Sequence, residues 1–130
     1  MDRNVKQLTF TRELSFTRLT LQATWVGEDC HLLLWGGDKP HLGCTVLAVP
    51  RPSLSGEGQS ATSSVLNLPG HKAEVLCRQL AEETAAASGC TTVCSGGVHV
   101  DNLTSDGIAE IQKAMDGLVK ETVLRWKNGK

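Results

Sequence analysis

Apolar and polar positions alternate with a period of two near the start of the chain: Leu8, Phe10, Arg12 and Leu14, then Leu19, Leu21, Ala23 and Trp25, with Thr, Arg and Gln between them. This alternation, interrupted at Ser15, predicts an antiparallel hairpin from Lys6 to Val26 with one buried face. Gly27-Glu28-Asp29 reads as the next turn. Cys30 to Trp35 is a short apolar strand closed by Gly36-Gly37, and Gly43 to Val49 is another closed by Pro50. Four strands in ~45 residues predict a meander. Arg51 to Ser60 is a Pro/Gly/Ser loop too polar for a core, and Thr62 to Leu68 reads as a fifth strand.

The period then changes. Pro69-Gly70 opens a helix that runs to about Ser88, with Ala73, Leu76, Cys77, Leu80, Ala81, Thr84 and Ala87 on one stripe and Gly89 as its stop. That stripe is narrow and Ala-rich, which suits close packing. Cys90 to Val100 returns as a strand. Ser105 to Trp126 is a second helix, with Ile108, Ile111, Met115, Leu118, Val119 and Thr122 at helical spacing. Thr104 or Ser105 can cap it, and Asp106 suits its positive end. The order βββββ-α-β-α is an α+β fold: a mostly antiparallel sheet of about six strands with two helices on one face. The other face is solvated, covered by a partner or used for ligand.

Composition narrows the function classes. The 130 residues suit one domain, spanning 1–130. Hydrophobic residues make up 40% and there are 13 glycines, so disorder is excluded as the dominant state. A net charge of −1 disfavours a nucleic-acid partner. The first residues, MDRNVKQLTFTREL, contain no apolar signal core, and no apolar run approaches the ~20 residues of a membrane span, so a cytoplasmic protein is expected. Cys30, Cys44, Cys77, Cys90 and Cys94 are then expected to be thiols. Neither zinc-ligand spacing nor a Ser/His/Asp triad is recognisable.

Four segments carry candidate chemistry. GGDKPHLG (36–43) places Gly36 and Gly37 beside His41, either to bring backbone close to a ligand or to make a tight turn. PRPSL (50–54) holds Arg51 between two prolines, as an anion grip or a solvated loop residue. Ser63 and Ser64, followed by Gly70, His71 and Lys72 at a helix start, are the ingredients of a phosphate site or of ordinary helix initiation. GGVHVDN (96–102) puts His99 and Asp101 on one strand face behind Gly97, as an oriented acid–base pair or a polar pair on a wet surface.

The order of these segments, followed by the 105–126 helix, resembles the LpdD-like family of small proteins associated with UbiD-type decarboxylases, over about residues 8 to 124. The resemblance implies a fold similar to the small proteasome assembly chaperones and a homodimer formed through its helices. It also implies a non-catalytic chaperone for prenylated FMN, which takes the cofactor from a UbiX-type prenyltransferase and assists maturation of a UbiD-type aromatic acid decarboxylase. On that reading the flavin phosphate meets Ser63, Ser64, the amides of Gly70 to Lys72 and the charge of Arg51 or Lys72. The rings lie against Gly36-Gly37 and Gly97, with His41, His71, His99 or Asp101 in reach and Trp35 available for stacking. The alternatives are a small decarboxylase subunit that takes part in catalysis, or an assembly chaperone that binds protein only.

Overall fold

The computed structural model describes residues 5–68 and 73–128. The elements are β1 (Val5–Glu13), β2 (Arg18–Val26), β3 (Asp29–Gly37), β4 (Cys44–Pro52), β5 (Gln59–Asn67), α1 (Ala73–Ser88), β6 (Thr92–His99) and α2 (Ser105–Asn128). The α+β order expected from the periodicity is therefore the observed one. The Pro69-Gly70 helix opening lies outside the described residues.

One six-stranded sheet has the order β1-β2-β3-β6-β4-β5. The meander is thus only half correct. β1, β2 and β3 are successive antiparallel neighbours, but β6 lies between β3 and β4, parallel to β3 and antiparallel to β4. The reason lies in the side chains of β6: Thr92, Cys94 and Gly96 are buried under the helices, a burial that only an interior strand obtains. β4 also continues through Pro50 to Pro52. Its ladder with β6 covers only Cys44 to Ala48, so beyond Ala48 that edge is open and proline's missing N–H costs nothing.

Alternate residues of each strand face the helices. Leu19, Leu21, Leu32, Leu34, Val46 and Cys94 are fully buried there, against Cys77, Leu80, Ala81 and Ala85 of α1 and Met115 and Leu118 of α2. The Ala-rich stripe of α1 is therefore used for packing on the chain's own sheet. Ala87, expected on that stripe, is exposed, because the buried arc turns through Thr84 and Ala85. Gly89 ends α1 with φ +77°, its N–H donating to the Ala85 carbonyl at 2.8 Å.

α2 starts where the Thr104 hydroxyl accepts from the Gly107 amide at 3.1 Å. It docks over the β1–β2 side: Trp126 stacks on Trp25 with centroids 5.4 Å apart, and Arg12 Nη1 donates to Glu121 Oε1 at 3.0 Å. Gln79 Nε2 donates to Asp116 Oδ1 at 3.1 Å, tying α1 to α2. Among the described residues, no helix is long and apolar enough to cross a membrane.

Candidate functional site

Because β3 and β6 run parallel, their C-terminal ends share one edge of the sheet. The start of β4, the end of β5 and the first described turns of both helices lie at that edge too. Four glycines make the convergence possible. A Cβ on Gly37 (φ +83°) would stand 2.2 Å from the His99 carbonyl oxygen, and one on Gly96 (φ +150°) 1.9 Å from that of Leu34. A Cβ on Gly36 would meet the Arg18 carbonyl at 2.5 Å, and one on Gly97 the His41 backbone and ring. The closeness these glycines allow is between the chain's own strands, so it needs no ligand to explain it.

Hydrogen bonds hold the edge together. The Asp38 amide donates to the His99 carbonyl at 2.7 Å, and the Asp101 amide donates to Asp38 Oδ2 at 2.8 Å. His99 Nε2 lies 2.9 Å from Asp101 Oδ1. His99 ends β6 and Asp101 sits in the following turn, so the pair forms by chain reversal and not by strand alternation. Both side chains are largely exposed. His41 lays its ring over Gly97 and donates from Nδ1 to the Lys39 carbonyl at 2.8 Å. The Thr17 hydroxyl accepts from the Gly37 amide at 2.9 Å.

On the helix side of this edge lies an apolar groove of about 290 Å³ between α1 and α2, with Val98 and Val100 as its floor and Leu76, Leu103 and Ile108 on its walls. It runs into a more polar recess of about 380 Å³ that shares Val100 and Leu103 and includes Asp101, Asp106 and Glu110. Ile108, expected in the α2 core, lines this groove and is 57% exposed. Its volume lies just below the ~300–1,000 Å³ of typical small-molecule pockets, and its lining is mostly apolar, as theirs is. The mouth of α2 is acidic, since Glu110 accepts from both the amide and hydroxyl of Ser15 and is held below the usual carboxylate range by those bonds.

The candidate residues thus fall into groups. Gly36, Gly37, His41, Gly97, His99 and Asp101 come together at the edge. Gly70, His71 and Lys72 lie outside the described residues, in the segment that joins β5 to α1. Ser63 and Ser64 point to opposite faces of β5, and the Ser63 hydroxyl donates to Glu82 on α1 at 2.8 Å, which puts a carboxylate where a phosphate was expected. Arg51 is at the other end of the sheet, its Nε donating to Thr62 at 2.7 Å. Seven residues of strand, ~24 Å, separate it from Cys44 at the β5–α1 end. Trp35 lies half-buried on the helix-free face.

Sequence reading passed over Asp38, Thr17 and Leu103, and Val75, which also lines the groove. Asp38 sits inside GGDKPHLG and could have been flagged as a carboxylate in a glycine turn. The others carry no local signal, since only the tertiary fold brings them to the edge.

The five cysteines are free thiols and all buried. Burial pushes Cys30 up to about 12, with Cys90 nearby adding to the effect, and pushes Cys44 to about 12, with its contact to Cys77 adding. Hydrogen bonds from Cys94 and Cys44 hold Cys77 below the ordinary thiol value despite its burial. Among the described residues, no three His, Cys, Asp or Glu side chains gather as a metal site would need.

Fold and site together define a small α+β protein whose distinctive surface is a glycine-crossed strand edge beside an apolar groove. The chain belongs to the prenylated flavin chaperone LpdD-like family, whose model matches residues 14–127. No protein of curated function matches the chain.

Proposed function

We propose that this protein binds prenylated FMN without transforming it and passes it, as a cytosolic homodimer, from a UbiX-type prenyltransferase to a UbiD-type decarboxylase. The observation that carries the reading is the family match over residues 14–127. The edge supplies a physical counterpart. The ring system lies in the groove over Val98 and Val100, where Leu103 and Ile108 exclude water from its apolar surface. Asp101 borders the polar recess and meets the ring heteroatoms, oriented by its contact with His99, while His41 lies over Gly97 on the other side of the strand edge. The phosphate meets the amides of Gly70 to Lys72 and the Lys72 charge at the start of α1. A carrier needs affinity without permanent capture, and an open groove allows release.

The test is anaerobic co-expression with a UbiX-type enzyme, followed by purification and absorbance spectroscopy. A flavin-derived spectrum travelling with the protein is expected; its absence sinks the proposal. Placement is tested by titrating variants with the same cofactor. Lys72→Ala removes a charge-assisted contact of about 1.5–3 kcal/mol. Ile108→Asp puts a carboxylate on the groove wall and weakens binding about tenfold or more. Arg51→Ala leaves affinity unchanged because of its distance. Loss of affinity in Arg51→Ala with none in Ile108→Asp would move the site elsewhere.

A further inference from the structure

The two edges of the sheet are finished differently. β1, at one edge, carries Lys6, Arg12 and Glu13, charged side chains of the kind that keep an edge strand from pairing with another chain. β5, at the other, reads QSATSSVLN and carries neither charge nor proline. Its register with β4 runs without a bulge from Cys44 opposite Asn67 to Pro52 opposite Gln59. Among the described residues no strand lies beyond it.

The prolines of β4 fix which groups of β5 face outward. In an antiparallel pair, hydrogen-bonded and non-hydrogen-bonded positions alternate. Pro50 pairs Ala61 and Pro52 pairs Gln59, and a residue without an N–H belongs at the non-hydrogen-bonded positions. The Leu68 amide donates to the Gly43 carbonyl at 2.8 Å, which puts the even-numbered residues of β5 in the bonded positions by the same parity. Ala61, Ser63 and Val65 therefore turn their N–H and C=O groups away from β4, to the open edge. These groups repeat there every ~6.8 Å, the spacing of an unused strand ladder.

Two features select what can pair with this edge. On the helix side the Glu82 carboxylate of α1 accepts from the Ser63 hydroxyl at 2.8 Å. Arg78 and Glu74 follow at one-turn intervals along α1 and pair with each other, and among the described residues no cation pairs with Glu82. At the Asn67 end lies an apolar hollow of about 250 Å³ walled by Leu42, Leu66 and Leu68, which are 67%, 76% and 50% exposed.

We infer that the β5 edge docks an extended segment of another protein, which adds a strand through main-chain hydrogen bonds to Ala61, Ser63 and Val65, sets a lysine or arginine beside Glu82 and places an apolar side chain in the leucine hollow. Main-chain pairing supplies the affinity, and the alternate side chains supply the choice of segment. An acidic segment is disfavoured because it brings like charge to Glu82. The inference goes beyond flavin binding and uses none of the residues assigned to the cofactor above.

The test uses the ligand-free full chain and fluorescence anisotropy of a labelled nonapeptide of alternating valine and threonine, with lysine at its centre and leucine at the end that meets Asn67. Saturable binding is expected, at least about tenfold weaker when glutamate replaces the lysine. Methylating the peptide amides that face β5 should abolish binding, whereas methylating the alternate set should leave it within about twofold. The methylated peptides decide the matter without any change to the protein. Ala61→Pro removes one outward N–H where an edge strand tolerates proline, and should weaken the peptide at least about tenfold with the far-ultraviolet circular dichroism unchanged. No binding at millimolar peptide, equal binding of the lysine and glutamate peptides, equal loss from either methylated set, or binding that survives Ala61→Pro overturns the inference. So does a wild-type dimer that Ala61→Pro dissociates, since the edge then belongs to a second copy.

Discussion

Replacing Gly96 by alanine tests the close parallel pairing of β3 and β6, on which the site's geometry depends. The new Cβ would lie 1.9 Å from the Leu34 carbonyl oxygen and 2.8 Å from its carbon, at φ +150°. The unfavourable backbone conformation costs about 1–2 kcal/mol. Relief of the overlap requires β3 or β6 to shift by more than an ångström, which loosens the ladder where Leu34 pairs Gly96 and Gly96 pairs Cys44. Overpacking and weakened hydrogen bonds there add about 2–3 kcal/mol. The total of about 3–5 kcal/mol is a large share of the ~5–15 kcal/mol that stabilises a typical domain. Gly89→Ala is the control, because its φ is +77° and nothing lies within 4 Å of its added Cβ. It bears the conformational cost without the clash. Urea unfolding followed by circular dichroism should separate the two variants by at least about 2 kcal/mol. Stabilities within about 1 kcal/mol of each other would refute the close approach of the strands.

Other consequences can be checked at the same bench. Gly97→Ala drives a Cβ to 2.6 Å from the His41 carbonyl and 2.8 Å from its Nε2, so it should displace the 39–42 loop. Cofactor affinity is then expected to fall while the urea midpoint moves by less than that of Gly96→Ala; unchanged affinity removes His41 from the site. All five thiols should resist a thiol reagent at pH 8 until the protein unfolds, since each is buried. In the folded protein Cys30 is raised from 9.0 to about 12, so its contribution to stability is complete below pH 9 and is lost as pH rises towards about 12. Cys30→Ala should flatten that alkaline decline. For Glu110 the sign is opposite: its folded value lies below 4.5, so its contribution is present above that pH and lost on acidification. Glu110→Gln should reduce the sensitivity of unfolding to acid.

Local periodicity carried much of the fold. Alternation at Leu19, Leu21, Ala23 and Trp25 exposed the buried face of β2, and Gly89 marked the end of α1, because both signals are written in neighbouring residues. Insertion of β6 between β3 and β4 was not legible, because strand order depends on contacts between residues about 60 apart, such as Leu34 with Gly96. Ile108 looked like a core residue by spacing alone. It lies on a wall of the groove because, at this end, α2 faces the 98–103 segment and not the sheet centre. The glycine segments were visible as motifs, and the structure shows what they do: they let neighbouring backbone segments approach closely and bring His99, Asp101 and Asp38 together. Ser63 and Arg51 looked equivalent to Ser64 and Lys72 as anion-binding types, but strand parity and strand length put them on another face and at another end.

The proposed role is to carry prenylated FMN to an apo-decarboxylase. The most direct measurement is decarboxylase activation under anaerobic assembly, comparing the loaded protein with an equal amount of free cofactor at limiting concentration. Faster or more complete activation by the loaded protein, diminished when Ile108→Asp is used as the carrier, is the predicted result. Equal activation by free cofactor, with no flavin retained on the protein, would contradict the account.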